Sequence, residues 1–295
     1  MDEHAASLNR VLRDEMIAVH QQFIHILALR DWGEAEAAEH IMAVDRIDFP
    51  NAMRIIDYLV ETERPVVLPP DRVVPGRDYR SILAAEWAME QRLCATLHRA
   101  VRADQRAGDL ISAAEGPREA YAAWLAKRLD APKESEASTE PPADTAAGVL
   151  AHLIAMIEQP MVHAFVHWHR GDAKAADAAW ATSGTAMRQA TEFVRLFAAR
   201  RTVPVPGALP PPRIAAMPAD ALEFDRRLAG RCAEEADTAS TRCEDREVAA
   251  LCRKTAEYCD ALSRWDTQEP HPAARLDSAA LCRFEAVHSK YVRSC

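Results

Sequence analysis

The chain has 295 residues, 49% of them hydrophobic and 27% charged, with a formal net charge of −9. That is enough to bury a substantial core in one large or two ordinary domains, and the acidic balance argues against non-specific binding to nucleic acid or anionic membranes. The opening, MDEHAASLNRVLRDE, is too acidic and polar for a secretory leader, and no apolar run approaches the roughly 20 residues of a membrane span, so a soluble, cytoplasmic protein is expected. With only nine Gly and abundant Ala, Leu, Glu and Arg, the composition favours helices over sheets.

Helical periodicity is visible from the start. Residues 6–31 place Leu8, Val11, Leu12, Ile17, Phe23, Ile24 and Leu27 at helical spacing, and a second run covers 34–62 before Pro65. The stretch RPVVLPPDRVVPGRDY is rich in Pro, which biases each preceding residue away from the helix, so it reads as an extended crossover. Third and fourth helices are expected at 79–103 and 108–129, completing a first domain over 1–130. APKESEASTEPPADT (131–145) is charged, Pro-rich and lacks large apolar residues, the composition of a flexible linker.

Beyond it the pattern restarts. Shifted by 138 positions, Val149–Gly207 aligns without a gap on Val11–Pro69, bringing Gln159 onto Gln21, His163 onto His25 and Gly171 onto Gly33. Helices at 218–238 and 241–265 would complete a second domain over 146–268. A C-terminal extension, 269–295, carries a short helix near 277–292, with a Glu-x-x-His step at Glu285 and His288. The seven Cys include no Cys-x-x-Cys pair and read as reduced thiols; Cys252 and Cys259 share one helix face as small buried hydrophobes.

A long connection between the second and third helices of a four-helix unit lets the chain travel the length of the bundle. The segment LNRVLRDEMIAVHQQFIHILALRDWG (8–33) resembles the first helix of bacterioferritins in its Leu-Asn start, Glu15, the step from Gln22 to His25, and the closing Asp-Trp-Gly. AEWAMEQRLCATLHRAV (85–101) is similar to the third helix of that family. The resemblance covers about 8–103 and reaches the second half only through the internal repeat. It implies an all-α protein of two tandem ferritin-like four-helix bundles, each with a long crossover between helices 2 and 3.

A ferritin-like dimetal centre takes a Glu from each of two helices and a Glu-x-x-His from each of the other two. Carried over, Glu15 and Glu90 match the lone carboxylates, with Glu86 one turn before Glu90. Asp48 and Asn51 fall on the Glu and His of the second helix, while the fourth helix offers only Glu115 and Glu119. The resemblance thus implies a metal set of Glu15, Asp48, Asn51, Glu90 and Glu119 for iron or manganese, with a metal-free site left open. Asp is one methylene shorter than Glu, Asn is a poor substitute for imidazole, and Pro50 would kink the second helix. The same acids could instead be buried against Arg46, Arg54 or Arg80. In the second half the matching positions are Leu153, Ala186 and Gln189, which hold no metal. A separate candidate there is the pair His163 and His167, one helical turn apart.

Three functions follow. The first is a metal-dependent oxidoreductase or oxygenase acting on a small organic substrate. The second is a metal-free enzyme using interior groups, among them Glu15, His20, His25 and Glu90, for acid–base work. The third is a non-catalytic binding or scaffold protein. The expected partner is a small molecule, neither nucleic acid nor membrane, and the expected assembly a monomer or small homo-oligomer.

Overall fold

The computed structural model describes residues 3–68, 73, 75–116, 118–130, 146–207, 209–210, 212–215, 218–266, 269 and 271–272. It is all-α, with no strand among the described residues. The helices in chain order are α1 (Glu3–Asp31), α2 (Ala35–Glu61), α3 (Tyr79–His98), α4 (Gln105–Glu115), α5 (Arg118–Asp130), α6 (Ala147–His169), α7 (Ala173–Ala198), α8 (Pro218–Arg242) and α9 (Arg246–Ser263). The expected tether at 131–145 and the helix near 277–292, with Glu285 and His288, lie outside the described residues.

Two compact units form, Met1–Ala143 with Val194–Pro206, and Asp144–Phe193 with Gly207–Cys295. In the first, α1 packs along α2 and α3, α3 along α5, and α2 against α4. Residues from Asp14 through Gln22 are all buried, so α1 is the central helix rather than an amphipathic surface one. The end of α7 belongs to this unit: the Trp32 indole N–H donates to the carbonyl of Ala198 at 3.0 Å. In the second unit α8 packs along α9 and α6, and every residue of α6 from Leu153 to His167 is buried.

That burial corrects one expectation. Helix α6 is long and apolar enough to cross a membrane by length and composition, with a mean hydropathy of 1.5, yet 94% of that window is buried inside the protein. Its apolarity is that of a helix surrounded by others.

The single fourth helix expected over 108–129 is two helices, α4 and α5, broken at Gly116 and the Pro that follows it in sequence. Proline supplies no amide donor to the preceding turn, which weakens the helix at that point, while Gly116 itself stays helical at φ −55° and ψ −42°. Pro50 does not interrupt α2, which continues through it. Capping residues set other boundaries. Asp78 and Ser81 form a reciprocal capping box at the start of α3, and Asp104 and Asp245 accept backbone N–H groups at the starts of α4 and α9.

The two halves repeat special backbone geometry where the sequence repeats. Gly33 and Gly171 end α1 and α6 with φ of +83° and +78°, a left-handed turn that glycine adopts without steric cost. Glu63 and Arg201, also 138 positions apart, share the same conformation at φ 53° and 54°. The crossovers are tied down alike. The His25 Nε2 accepts from the Gly76 amide and the His163 Nε2 from the Ala215 amide, each at 3.0 Å.

Candidate functional site

Four elements aim polar groups into the first unit. Glu15 projects from the buried middle of α1, Asp48 from α2, and Glu90 and Glu86 from α3; none is more than 3% exposed. Three of these four, Glu15, Asp48 and Glu90, share one buried cation. It comes from α5, where Arg118, the first residue after the helix break, is 2% exposed. Its Nη2 donates to Asp48 Oδ1 at 2.8 Å and to Glu15 Oε1 at 3.1 Å, its Nη1 to Glu90 Oε2 at 2.9 Å, and its Nε to the Ala114 carbonyl at 2.8 Å. The planar fork of arginine suits such a site because it presents several donors and keeps its charge at any physiological pH.

Burial decides the electrostatics. Desolvation pushes the Glu15 carboxyl far above the usual carboxylate range, with Asp48 adding to the rise and Arg118 opposing it. Asp48 and Glu90 are also raised, again chiefly by burial, with Arg118 opposing. The Arg118 guanidinium rises too: its three acids outweigh the desolvation that acts against the charge. Glu15 Oε2 is buried with no hydrogen-bond partner, so Arg118 is bonded through the other carboxylate oxygen alone. The Gln22 amide donates to Asp48 Oδ2 at 3.0 Å, and the Cys94 thiol, pushed up to about 11 mainly by burial, donates to Glu90 Oε1 at 3.4 Å.

A second network lies beside the first. Because His25 Nε2 accepts the Gly76 amide, its proton sits on Nδ1, which donates to Glu86 Oε1 at 2.5 Å. The Tyr121 hydroxyl from α5 donates to the other oxygen of Glu86 at 2.7 Å. Both ring nitrogens of His25 are therefore committed, so this imidazole fastens the crossover and has no lone pair for a substrate. His20 is buried elsewhere in α1, and desolvation lowers it to about 4, which keeps it neutral.

Glu15, Asp48 and Glu90 do meet, as the bacterioferritin resemblance implies. The rest of the implied set does not join them. Asn51 is buried, but its Oδ1 accepts from Arg54 at 3.3 Å, and Glu119 is exposed on α5 one residue past the arginine that enters the centre. Glu115 pairs with Arg102 on the surface side, at 2.6 Å. The partners considered from sequence, Arg46, Arg54 and Arg80, are not the ones that neutralise the cluster. The residues do not fit a metal: a permanently charged guanidinium already bonds each of the three acids, and a divalent ion there would face it at close range. Among the described residues no group of three or more His, Cys, Asp or Glu is placed to hold a metal ion.

Arg118 is not a residue that the bacterioferritin resemblance implies, because that pattern takes acids and His from the fourth helix. A usable signal was present. Three acids aimed at one interior, with two expected imidazoles missing, call for a buried base, and Arg118 is the basic residue of the 108–129 stretch nearest its helix break.

The His pair of the second unit is also divided. His163 repeats the pattern of His25: its Nε2 accepts the Ala215 amide and its Nδ1 donates to Asp225 Oδ1 at 2.8 Å, so no nitrogen remains for a metal. Gln159 donates to the same oxygen at 2.9 Å. His167, 5% exposed, has a buried Nδ1 with no hydrogen-bond partner, and its nearest acid, Asp172, stands 4.0 Å away. Desolvation lowers its pKa. No protein-family model, no curated protein and no solved structure matches this chain.

Proposed function

We propose that this is a metal-independent, internally duplicated protein of ferritin-like architecture, in which a guanidinium has taken the central place of the metal and the molecule binds a small organic compound without activating dioxygen. The single observation that carries the reading is Arg118, bonded to Glu15, Asp48 and Glu90 at 2.8–3.1 Å. The chain order of two long helices, a crossover and further helices, repeated at a 138-residue offset with matching turns and matching His anchors, supports the duplicated architecture.

An oxygenase would need these acids as ligands, and here they serve as counter-ions. Of the interior groups an acid–base enzyme would use, His25 has both nitrogens engaged, Glu15 and Glu90 are bonded to Arg118, and His20 is buried and held neutral apart from them. The first unit therefore reads as a scaffold, and ligand binding is left to the second.

Elemental analysis tests this. The full-length protein, incubated with Fe²⁺ or Mn²⁺ under reducing conditions and then desalted, is expected to retain far less than one ion per chain. Near-stoichiometric retention that Glu15→Ala abolishes would overturn the proposal and restore the oxidoreductase reading.

A further inference from the structure

The second unit contains a cavity of about 210 Å³ walled by α7, α8, the end of α9 and Trp265. That is several times the ~30 Å³ a water occupies in the liquid and below the ~300–1,000 Å³ of drug-sized sites, so it suits a compact metabolite. His167, Asp172, Thr182, Asp225 and Arg226 supply its polar lining.

Three of these groups carry capacity that the fold leaves unspent. The first is His167 Nδ1, which is buried and unbonded. The second is Arg226 Nε, also buried and unbonded, although Nη2 of the same side chain donates to the Trp265 carbonyl. The third is Asp225: the bonds from His163 and Gln159 both end on Oδ1, and neither reaches its other oxygen. Thr182 is already used, since its hydroxyl donates to the Ala178 carbonyl and contacts His271. Asp172 is half exposed and so faces mostly water.

A buried polar atom left without a partner costs roughly 1–3 kcal/mol, so two beside one cavity mark a place where a bound group would restore what folding removed. The sheltered charges are one carboxylate and one guanidinium. A simple anion would meet Asp225 as well as Arg226, and a simple cation would meet the reverse. A molecule with both signs satisfies both. The remaining wall, including Leu222, Leu262, Ala178 and the Trp265 ring, is apolar.

We propose that this cavity is a binding site for a small zwitterion, an α-amino acid with a compact apolar side chain, whose carboxylate is held by Arg226 and His167 and whose ammonium is held by Asp225. This deepens the ligand-binding reading above and rests on it.

The test uses the full-length protein with L-valine and L-leucine, followed by calorimetry and thermal melting. The matched probes 3-methylbutylamine and 4-methylpentanoate each lack one charged group of leucine. At least one amino acid is expected to raise the melting temperature, with both leucine analogues weaker by about tenfold or more. Arg226→Gln should remove the response. Ala178→Leu, which fills the cavity from α7 without touching the polar groups, should remove it too and guards against a misfolded Arg226 variant. The proposal fails if neither amino acid shifts the melt, or if 4-methylpentanoate binds as tightly as leucine. Metal analysis of the same samples separates the two readings: stoichiometric metal with leucine binding intact sinks only the metal-independent one, and a metal-free protein blind to amino acids sinks only this one.

Discussion

At the scale of single residues the informative feature is one buried guanidinium bonded to three acids. Arginine cannot shed its proton, so Arg118 gives a buried acidic cluster a permanent counter-charge with no dependence on metal supply or redox state. Its removal leaves Glu15, Asp48 and Glu90 uncompensated. Breaking one side of a buried ionic network costs about 3–5 kcal/mol, so Arg118→Ala is expected to lower the urea midpoint by that equivalent, and Arg118→Lys to recover only part, because an ammonium lacks the fork. The emptied centre should then accept a cation: Mn²⁺ is expected to raise the melting temperature of Arg118→Ala and to leave wild type unmoved. A midpoint for Arg118→Ala within about 0.5 kcal/mol of wild type would show that the network contributes little.

At the scale of elements, the crossovers depend on an imidazole reaching out of a central helix. His25 and His163 each accept an amide from the extended segment and donate to an acid on the next helix, Glu86 or Asp225. Gly76 makes the first of these possible. A Cβ there would stand 2.1 Å from the Ile82 amide nitrogen at the start of α3, a contact with backbone that no side-chain rotation relieves. Gly76→Ala is therefore expected to destabilise the first unit by about 1–3 kcal/mol, read as a lower urea midpoint. Its φ is not left-handed, so the requirement is for space and not for conformational freedom. An unchanged midpoint would mean that the crossover has room to move.

At the scale of the whole molecule, buried acids give stability a defined pH dependence. Glu158, 5% exposed on α6, is pushed up to about 8 by desolvation. Its folded pKa lies above its unfolded one near 4.5, so the folded state binds more protons between those values. Stability from this group is full below pH 4.5 and is lost as pH rises towards 8, by about 1.4 kcal/mol per unit at most. His20 and His271 act in the opposite sense: both are lowered to about 4 by burial, so the stability they contribute is present above about 6.5 and lost as pH falls. Glu158→Gln is thus expected to gain on wild type steadily from pH 5 to 8 in urea titrations and to gain no further above it. A difference that does not vary with pH would remove Glu158 from the account.

The sequence by itself determined the all-helical character, most helix positions apart from the split into α4 and α5, and the offset at which the turns repeat, because these rest on local rules. Apolar spacing, glycine at a left-handed turn and proline at a helix end act within a few residues of chain. The resemblance to bacterioferritins grouped Glu15, Asp48, Asn51, Glu90 and Glu119, of which Glu15, Asp48 and Glu90 converge on Arg118. What answers those acids was decided only in three dimensions. Arg118 lies 70 positions from Asp48 and 103 from Glu15, and neither separation follows any local period. The break at Gly116 turned Arg118 inward and left Glu119 in water, and the fold committed both nitrogens of His25 and His163 to backbone and carboxylate. Which charge answers a buried acid is set by what the fold brings within reach across the core, and charges in a low-dielectric interior act over distance, not along the chain.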